Sequence, residues 1–166
     1  MEFKELVVSK VKEKFGSAVV EITDFRDDLS VEVKPEQILE LAKLVKEDPE
    51  LDFAQCVDVT AIDWAKRKNR FTTVYHLYSL SKNFNLRLKA TIEDAKNPKI
   101  DSVASVWPSA DWYERETWDM YGIIFNNHPD LRRVYMPETF EYHPLRKDFP
   151  VMGIPGSLPL PKNEED

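Results

Sequence analysis

Apolar residues at Phe3, Leu6, Val7, Val11 and Phe15 recur near the helical period, and Gly16 stands where such a helix would end. Between Ala18 and Lys34, two β-branched runs flank the turn-prone stretch DFRDD, which predicts a hairpin. Pro35 suits the first turn of a second helix with a buried stripe of Ile38, Leu39, Leu41, Ala42 and Val45, stopped by EDP at residues 47 to 49. Three strands follow, roughly Phe53 to Trp64, Phe71 to Leu80 and Phe84 to Ile92, divided by AKRKN and SKN. In the last of them Phe84, Leu86, Leu88, Ala90 and Ile92 alternate with Asn85, Arg87, Lys89 and Thr91, the period of a sheet with one wet face. Helical character returns after Pro98, and Pro108-Ser109 offers a start for ADWYERETWDMY, which Gly122 closes.

This order predicts a two-layer α+β domain, with helices packed on a mainly antiparallel or mixed sheet of about five strands. Residues 1–125 form the expected core domain. Beyond them neither period continues, and eight of the 11 prolines fall after residue 107. Residues 126–166 are therefore expected to be an irregular, Pro-rich C-terminal extension.

Composition narrows the function. The 166 residues suffice for one buried core, and 42% hydrophobic with 32% charged residues is an ordinary globular balance. A net charge of −7 without a Lys/Arg stripe disfavours nucleic acid as a partner. No apolar run approaches 18 residues and no charged start leads into a hydrophobic stretch, so the chain is expected to be neither exported nor membrane-spanning. Cys56, the single cysteine, reads as a buried filler in FAQCVDV, and one sulfur cannot build a thiolate cluster. His76 reads as a packed strand histidine, and the absence of any HxxxH, HExxH or CxxC spacing leaves metal binding without a motif.

Two segments carry the remaining signal. In the predicted helix, Arg115 lies one turn from Asp111 and Asp119, while Trp112, Tyr113, Trp118, Met120 and Tyr121 point in nearly every direction. Such a helix is either a surface helix with weak ion pairs or one contacted on two sides, by its own sheet and by a partner protein. Glu114 and Glu116 as a general acid and base pair are a third reading, disfavoured because their directions diverge. The second segment repeats a His-Pro step: HPDLRR at His128, Pro129, Asp130, Leu131, Arg132 and Arg133, then HPLRKDFP at His143, Pro144, Leu145, Arg146, Lys147, Asp148, Phe149 and Pro150. Proline stiffens both, so the extension loses less entropy on docking. Its four cations balance four carboxylates between residues 126 and 150 beside apolar residues, and the arginine forks suit carboxylates, those of the 110–121 helix included. Either the extension binds a partner or it folds back on its own domain through such pairs.

The stretch YERETWDMYGIIFNNHPDLRRVYMPETFEYHPLRKDFP resembles the signature of the 30 kDa (C-type) subunit family of respiratory NADH-quinone oxidoreductase, the enzyme of respiratory complex I. The family pattern, ERExxD, Gly-Ile, HPDLRR and HPLRKDFP, is met by Glu114, Arg115, Glu116, Asp119, Gly122, Ile123, His128 to Arg133 and His143 to Pro150. Similarity runs from about residue 55 to 150, counting RFTTVYHLYS. Tyr142 stands where the family commonly has glycine, which questions a positive φ there.

The resemblance implies a peripheral-arm subunit that carries no cofactor itself, FMN, iron-sulfur clusters and quinone belonging to partner subunits. Its implied partners are the large quinone-site (49 kDa-type) subunit and neighbouring iron-sulfur subunits, on the cytoplasmic side of the membrane. It also implies that the signature residues form a partner interface without a catalytic role. The equivalent subunit of a ferredoxin-, F420H2- or hydrogenase-linked complex is an alternative, and a free-standing enzyme using His128 or His143 with carboxylates is another.

Overall fold

A computed structural model describes residues 2–65 and 67–157. Helix α1 (Phe3–Phe15) buries Val7, Val11 and Phe15, and Gly16, at φ 40°, ends it by donating its N–H to the Lys12 carbonyl. Strands β1 (Val19–Phe25) and β2 (Asp28–Val33) form the expected hairpin. Arg26 and Asp27 turn it with φ of 51° and 69°, the two left-handed residues that a tight hairpin requires. Pro35 opens a 3-10 turn that leads into α2 (Ile38–Glu47), whose buried residues are Ile38, Leu41, Ala42 and Val45.

Strands β3 (Gln55–Asp63), β4 (Phe71–Ser79) and β5 (Phe84–Ile92) complete a mixed five-stranded sheet in the order β1-β2-β5-β4-β3. The β2–β5 pair is parallel and the other pairs are antiparallel. A parallel pair needs a crossover, supplied here by α2 and the β3–β4 hairpin. Placing β5 at the centre explains its clean alternation: Leu86, Leu88, Ala90 and Ile92 enter the core beneath the helices.

The helical character expected after Pro98 is absent. Lys99–Asp101 is a short strand, β6, pairing in parallel with β7 (Ile124–Asn126), which lies just past the last helix. Ile124 donates to the Pro98 carbonyl and Ser102 to that of Asn126, so backbone pairing with a distant segment overrides a weak local pattern.

Helix α3 (Ala110–Tyr121) lies against the edge strand β3. Ser109 Oγ donates to the Cys56 carbonyl and Thr117 Oγ1 to the Val59 carbonyl, each at 2.9 Å. Hydroxyls thus occupy carbonyls of an edge that would otherwise offer them to another chain. From Asn127 to Ser157 the chain has neither helix nor strand, and residues 158–166 of the expected extension lie outside the described residues.

Thr117→Val keeps the side-chain volume but strands the buried Val59 carbonyl. It is expected to lower stability by about 1–3 kcal/mol, read from the midpoint of urea unfolding at an unchanged slope.

Candidate functional site: buried carboxylates that anchor the C-terminal arm

Helix α3 runs between the sheet and the irregular arm, which explains why its aromatic residues point in every direction. Its charges lie inside as well: Glu114, Arg115 and Asp119 are all buried. Asp119 Oδ2 accepts three successive backbone N–H groups, from Val134 (3.1 Å), Tyr135 (2.8 Å) and Met136 (3.0 Å), while Arg133 binds Oδ1 at 2.5 Å. Burial alone would raise this carboxyl's pKa, but the three amides and the guanidinium outweigh burial and hold it below the usual range.

A second anchor sits where β3 ends. Arg70 grips both oxygens of Asp63 at 2.7 Å, and Asp63 also accepts the N–H of Ala65 (2.8 Å) and of Lys147 (2.7 Å). Burial pushes the Asp63 carboxyl up, yet Arg70 and the two amides bring it down to about 2. Arg70 reaches the arm a second time through Asp148 at 2.9 Å.

A third buried carboxylate, Glu114, bonds the turn after β6 rather than the arm: it accepts the Val103 N–H at 2.7 Å and the Ser102 hydroxyl at 2.5 Å. It has no guanidinium partner. Burial pushes it up to about 7 against the lowering effect of its two donors. His128 Nε2 lies 3.9 Å away and bonds the Asp111 carbonyl at 3.1 Å.

The two His-Pro segments then acquire distinct local roles. In HPLR, His143 Nδ1 lies 2.9 Å from the Asp119 carbonyl, Leu145 N–H bonds the Met120 carbonyl and Arg146 Nε donates to the Tyr121 carbonyl at 2.5 Å. This segment therefore satisfies the last carbonyls of α3 and sets a cation at the negative end of its dipole. Burial pushes the His143 pKa down, which favours a neutral ring, and a carbonyl partner requires the proton on Nδ1. Arg146 also lies over the Phe71 ring, 5.3 Å from its centroid. Such close approach depends on Gly122, at φ 74°: a Cβ there would meet the Arg146 guanidinium and would come within 2.6 Å of the His143 ring. In HPDLRR, Arg115 donates to the Arg132 carbonyl at 3.2 Å and stacks on the Trp112 ring.

The expected arginine-to-carboxylate pairing thus occurs between Arg133 and Asp119, whereas Arg115 lies 3.9 Å from Asp111 and closes no pair with Asp119. Glu114 and Glu116 are not brought together; the first is buried and the second half-buried. His128, Arg133, His143, Pro144, Arg146, Leu131 and Phe149 are half-buried along the arm, while Pro129, Asp130, Arg132, Leu145, Lys147, Asp148 and Pro150 are exposed. Tyr142 is not among the positive-φ residues, so its backbone needs no glycine. Among the described residues no group of three His, Cys, Asp or Glu side chains could hold a metal. Burial pushes the Cys56 thiol up to about 12, unsuited to a nucleophile.

Sequence reasoning missed Asp63 and Arg70. The signal was a carboxylate at an inward position of β3, in step with Val59 and Ala61. It also missed the aromatic triangle of Phe140, Tyr142 and Phe149, with centroids 5.6 to 6.3 Å apart. Two of these rings, with Met136, Pro144, Met152 and Ile154, line an open groove of about 660 Å³. Beside it Val151 and Met152 are almost wholly exposed, as is much of Leu145.

Residues 31–154 match the family described as respiratory-chain NADH dehydrogenase, 30 Kd subunit. The chain belongs to that family. Among its relatives, the C-type subunit of NADH-quinone oxidoreductase from Geobacter sulfurreducens is 45% identical over 147 residues, spanning 88% of this chain and 89% of the relative. Its counterpart in NADH-quinone oxidoreductase from Roseiflexus sp. (strain RS-1) is 42% identical over 87% of this chain and 83% of its own. A chain in the structure of the membrane-bound sulfane sulfur reductase, an archaeal respiratory membrane complex, shares the fold with a TM-score of 0.76 and 26% identity, over 91% of this chain and 88% of that one. Among the described residues no helix is long and apolar enough to cross a membrane.

Asp119→Asn leaves Arg133 without its charge partner, and the expected cost of about 3–5 kcal/mol falls on attachment of the arm. Limited proteolysis should cut residues 130–150 before the core in this variant. Gly122→Ala should release the same segment through its clash with His143. Because the folded Asp63 carboxyl sits at about 2, below its unfolded value, the stability it contributes is complete above pH ~4 and is lost as pH falls towards 2. Asp63→Asn should flatten the acid limb of the unfolding profile across that window.

Proposed function

We propose that the chain is a structural, cofactor-free subunit of the peripheral arm of a proton-translocating NADH:quinone oxidoreductase. In that role it braces the quinone-site subunit and neighbouring iron-sulfur subunits on the cytoplasmic side of the membrane. FMN, iron-sulfur clusters and quinone belong to those neighbours, and the chain's effect on electron transfer is positional. The observation that carries this reading is the arm between residues 127 and 157, irregular yet pinned at Asp119, Asp63 and the end of α3. A chain held so firmly while it shows solvent Tyr135, Leu145, Val151 and Met152 suits a rigid docking face better than a free surface. Membership of the relatives in NADH-quinone oxidoreductase supports the same reading.

Likeness to a chain of the archaeal sulfane sulfur reductase complex favours one second reading: the corresponding subunit of a related membrane complex with another electron donor. Purification of the tagged chain from native membranes separates the two. The first reading expects co-elution of a quinone-site subunit, iron-sulfur subunits and a flavoprotein that oxidises NADH; the other subunits without such a flavoprotein favour the second. A chain that elutes alone and turns over substrate sinks both. Within the complex, Leu145→Glu with Met152→Glu should abolish co-elution while the melting temperature of the isolated chain stays within about 2 °C, because both side chains are exposed. Arg133 is unsuitable for that test, since its loss also breaks the pair with Asp119.

A further inference from the structure

Glu114 differs from the two carboxylates that anchor the arm in lacking a guanidinium. Its carboxyl is closed off from solvent and ties α3 to Ser102 and Val103, the residues that leave β6. His128, at the root of the arm, faces it from the other side with a wholly enclosed ring. The hydrogen bonds assign that ring's tautomer: Nδ1 accepts the Asp130 N–H at 3.1 Å, so the proton is on Nε2, which donates to the Asp111 carbonyl.

The remaining neighbours offer no compensation. Asp111 adds negative charge one turn earlier on α3. Cys56 from β3, with Asp58 beside it, and Tyr75 from β4 face the carboxyl as neutral groups, and Asp101 of β6 bears on Tyr75. Arg115, the adjacent residue, turns its guanidinium outward to Trp112 and the Arg132 and Arg133 carbonyls.

We propose that the Glu114–Ser102–His128 cluster is a proton-operated latch, closed while the Glu114 carboxyl keeps its proton and loosened at the 102–103 turn and the root of the arm when it ionises. A neutral carboxyl still accepts the Val103 N–H and can turn the Ser102 bond round by donating its own proton to Oγ, whereas the anion lies in a closed pocket beside Asp111 with no lysine or arginine partner among the described residues. Burial raises the carboxyl above its unfolded value, so its contribution to folding is complete below pH ~4.5 and is lost as pH rises through about 7. This window is opposite in sense to that of Asp63 and lies above it. The latch thus couples the attachment of the arm to pH near neutrality whatever complex the arm serves.

Amide hydrogen exchange of the full chain between about pH 4.5 and pH 8.5 tests this, with each rate divided by its intrinsic value. Protection of the Val103 and Asp130 amides should fall by up to tenfold per pH unit between about 4.5 and 7 in the unaltered chain and level off above, and show no such fall in Glu114→Gln, which cannot ionise. Level protection in the unaltered chain, or an identical slope in Glu114→Gln, overturns the proposal. Should Glu114→Gln fail to fold, the carbon-13 signal of the Glu114 carboxyl in the unaltered chain decides the matter. A midpoint near the pH at which protection levels off supports the latch, and full ionisation already at about pH 5.5 overturns it.

Discussion

The structure depends on carboxylates that are buried and then filled with backbone N–H groups. Enclosing an ionised carboxyl without partners costs several kcal/mol, which is why such groups seldom lie inside a domain of this size. Asp119 offsets that cost with three consecutive amides and Arg133, Asp63 with two amides and Arg70. The bonds run across the chain: the carboxylates sit on α3 and β3, and most of their donors come from the arm. A segment without helix or strand has few ways to satisfy its own N–H groups, and here part of that task passes to carboxylates on regular elements. The arm therefore holds one shape without secondary structure.

The same arm completes α3. A helix end leaves carbonyls without partners, and His143, Leu145 and Arg146 supply donors for those of Asp119, Met120 and Tyr121. Gly122 makes the approach feasible because it carries no Cβ to fill the space that His143 and Arg146 occupy. Helix and arm are thus mutually dependent. Loosening either exposes polar groups of the other, and a surface built on both stays rigid while both are in place.

Rigidity of this kind links the fold to the proposed role. Ordering a loose segment at the moment of docking costs entropy for each residue fixed, whereas an arm already pinned at three places brings its exposed apolar and cationic side chains in position. The buried carboxylates respond differently to protons. Asp63 and Asp119, held by cations and amides, keep their charge through the neutral range, while Glu114, without a cation, is the one poised to change. Attachment is therefore strong along most of the arm and adjustable at its root.

Much of the domain was determined by the sequence alone, because short-range physics decides it. Alternation in β5, the apolar stripe of α2 and glycines after α1 and α3 specify elements through period, propensity and capping, which act within a few residues. The His-Pro motifs were equally legible as stiff, cation-bearing segments. Tertiary structure alone decided what those motifs do, since a carboxylate's partners depend on which backbone is folded against it. Nothing near Asp63 announces that it receives Arg70 and the Lys147 amide, and nothing near Lys99 announces a strand, because β7 lies more than twenty residues further on. Glu114 and Asp119 are five residues apart on one helix, yet burial raises the pKa of one to about 7 and donors hold the other below the usual range. That difference arises from contacts across the fold, where sequence distance carries no information about physical distance.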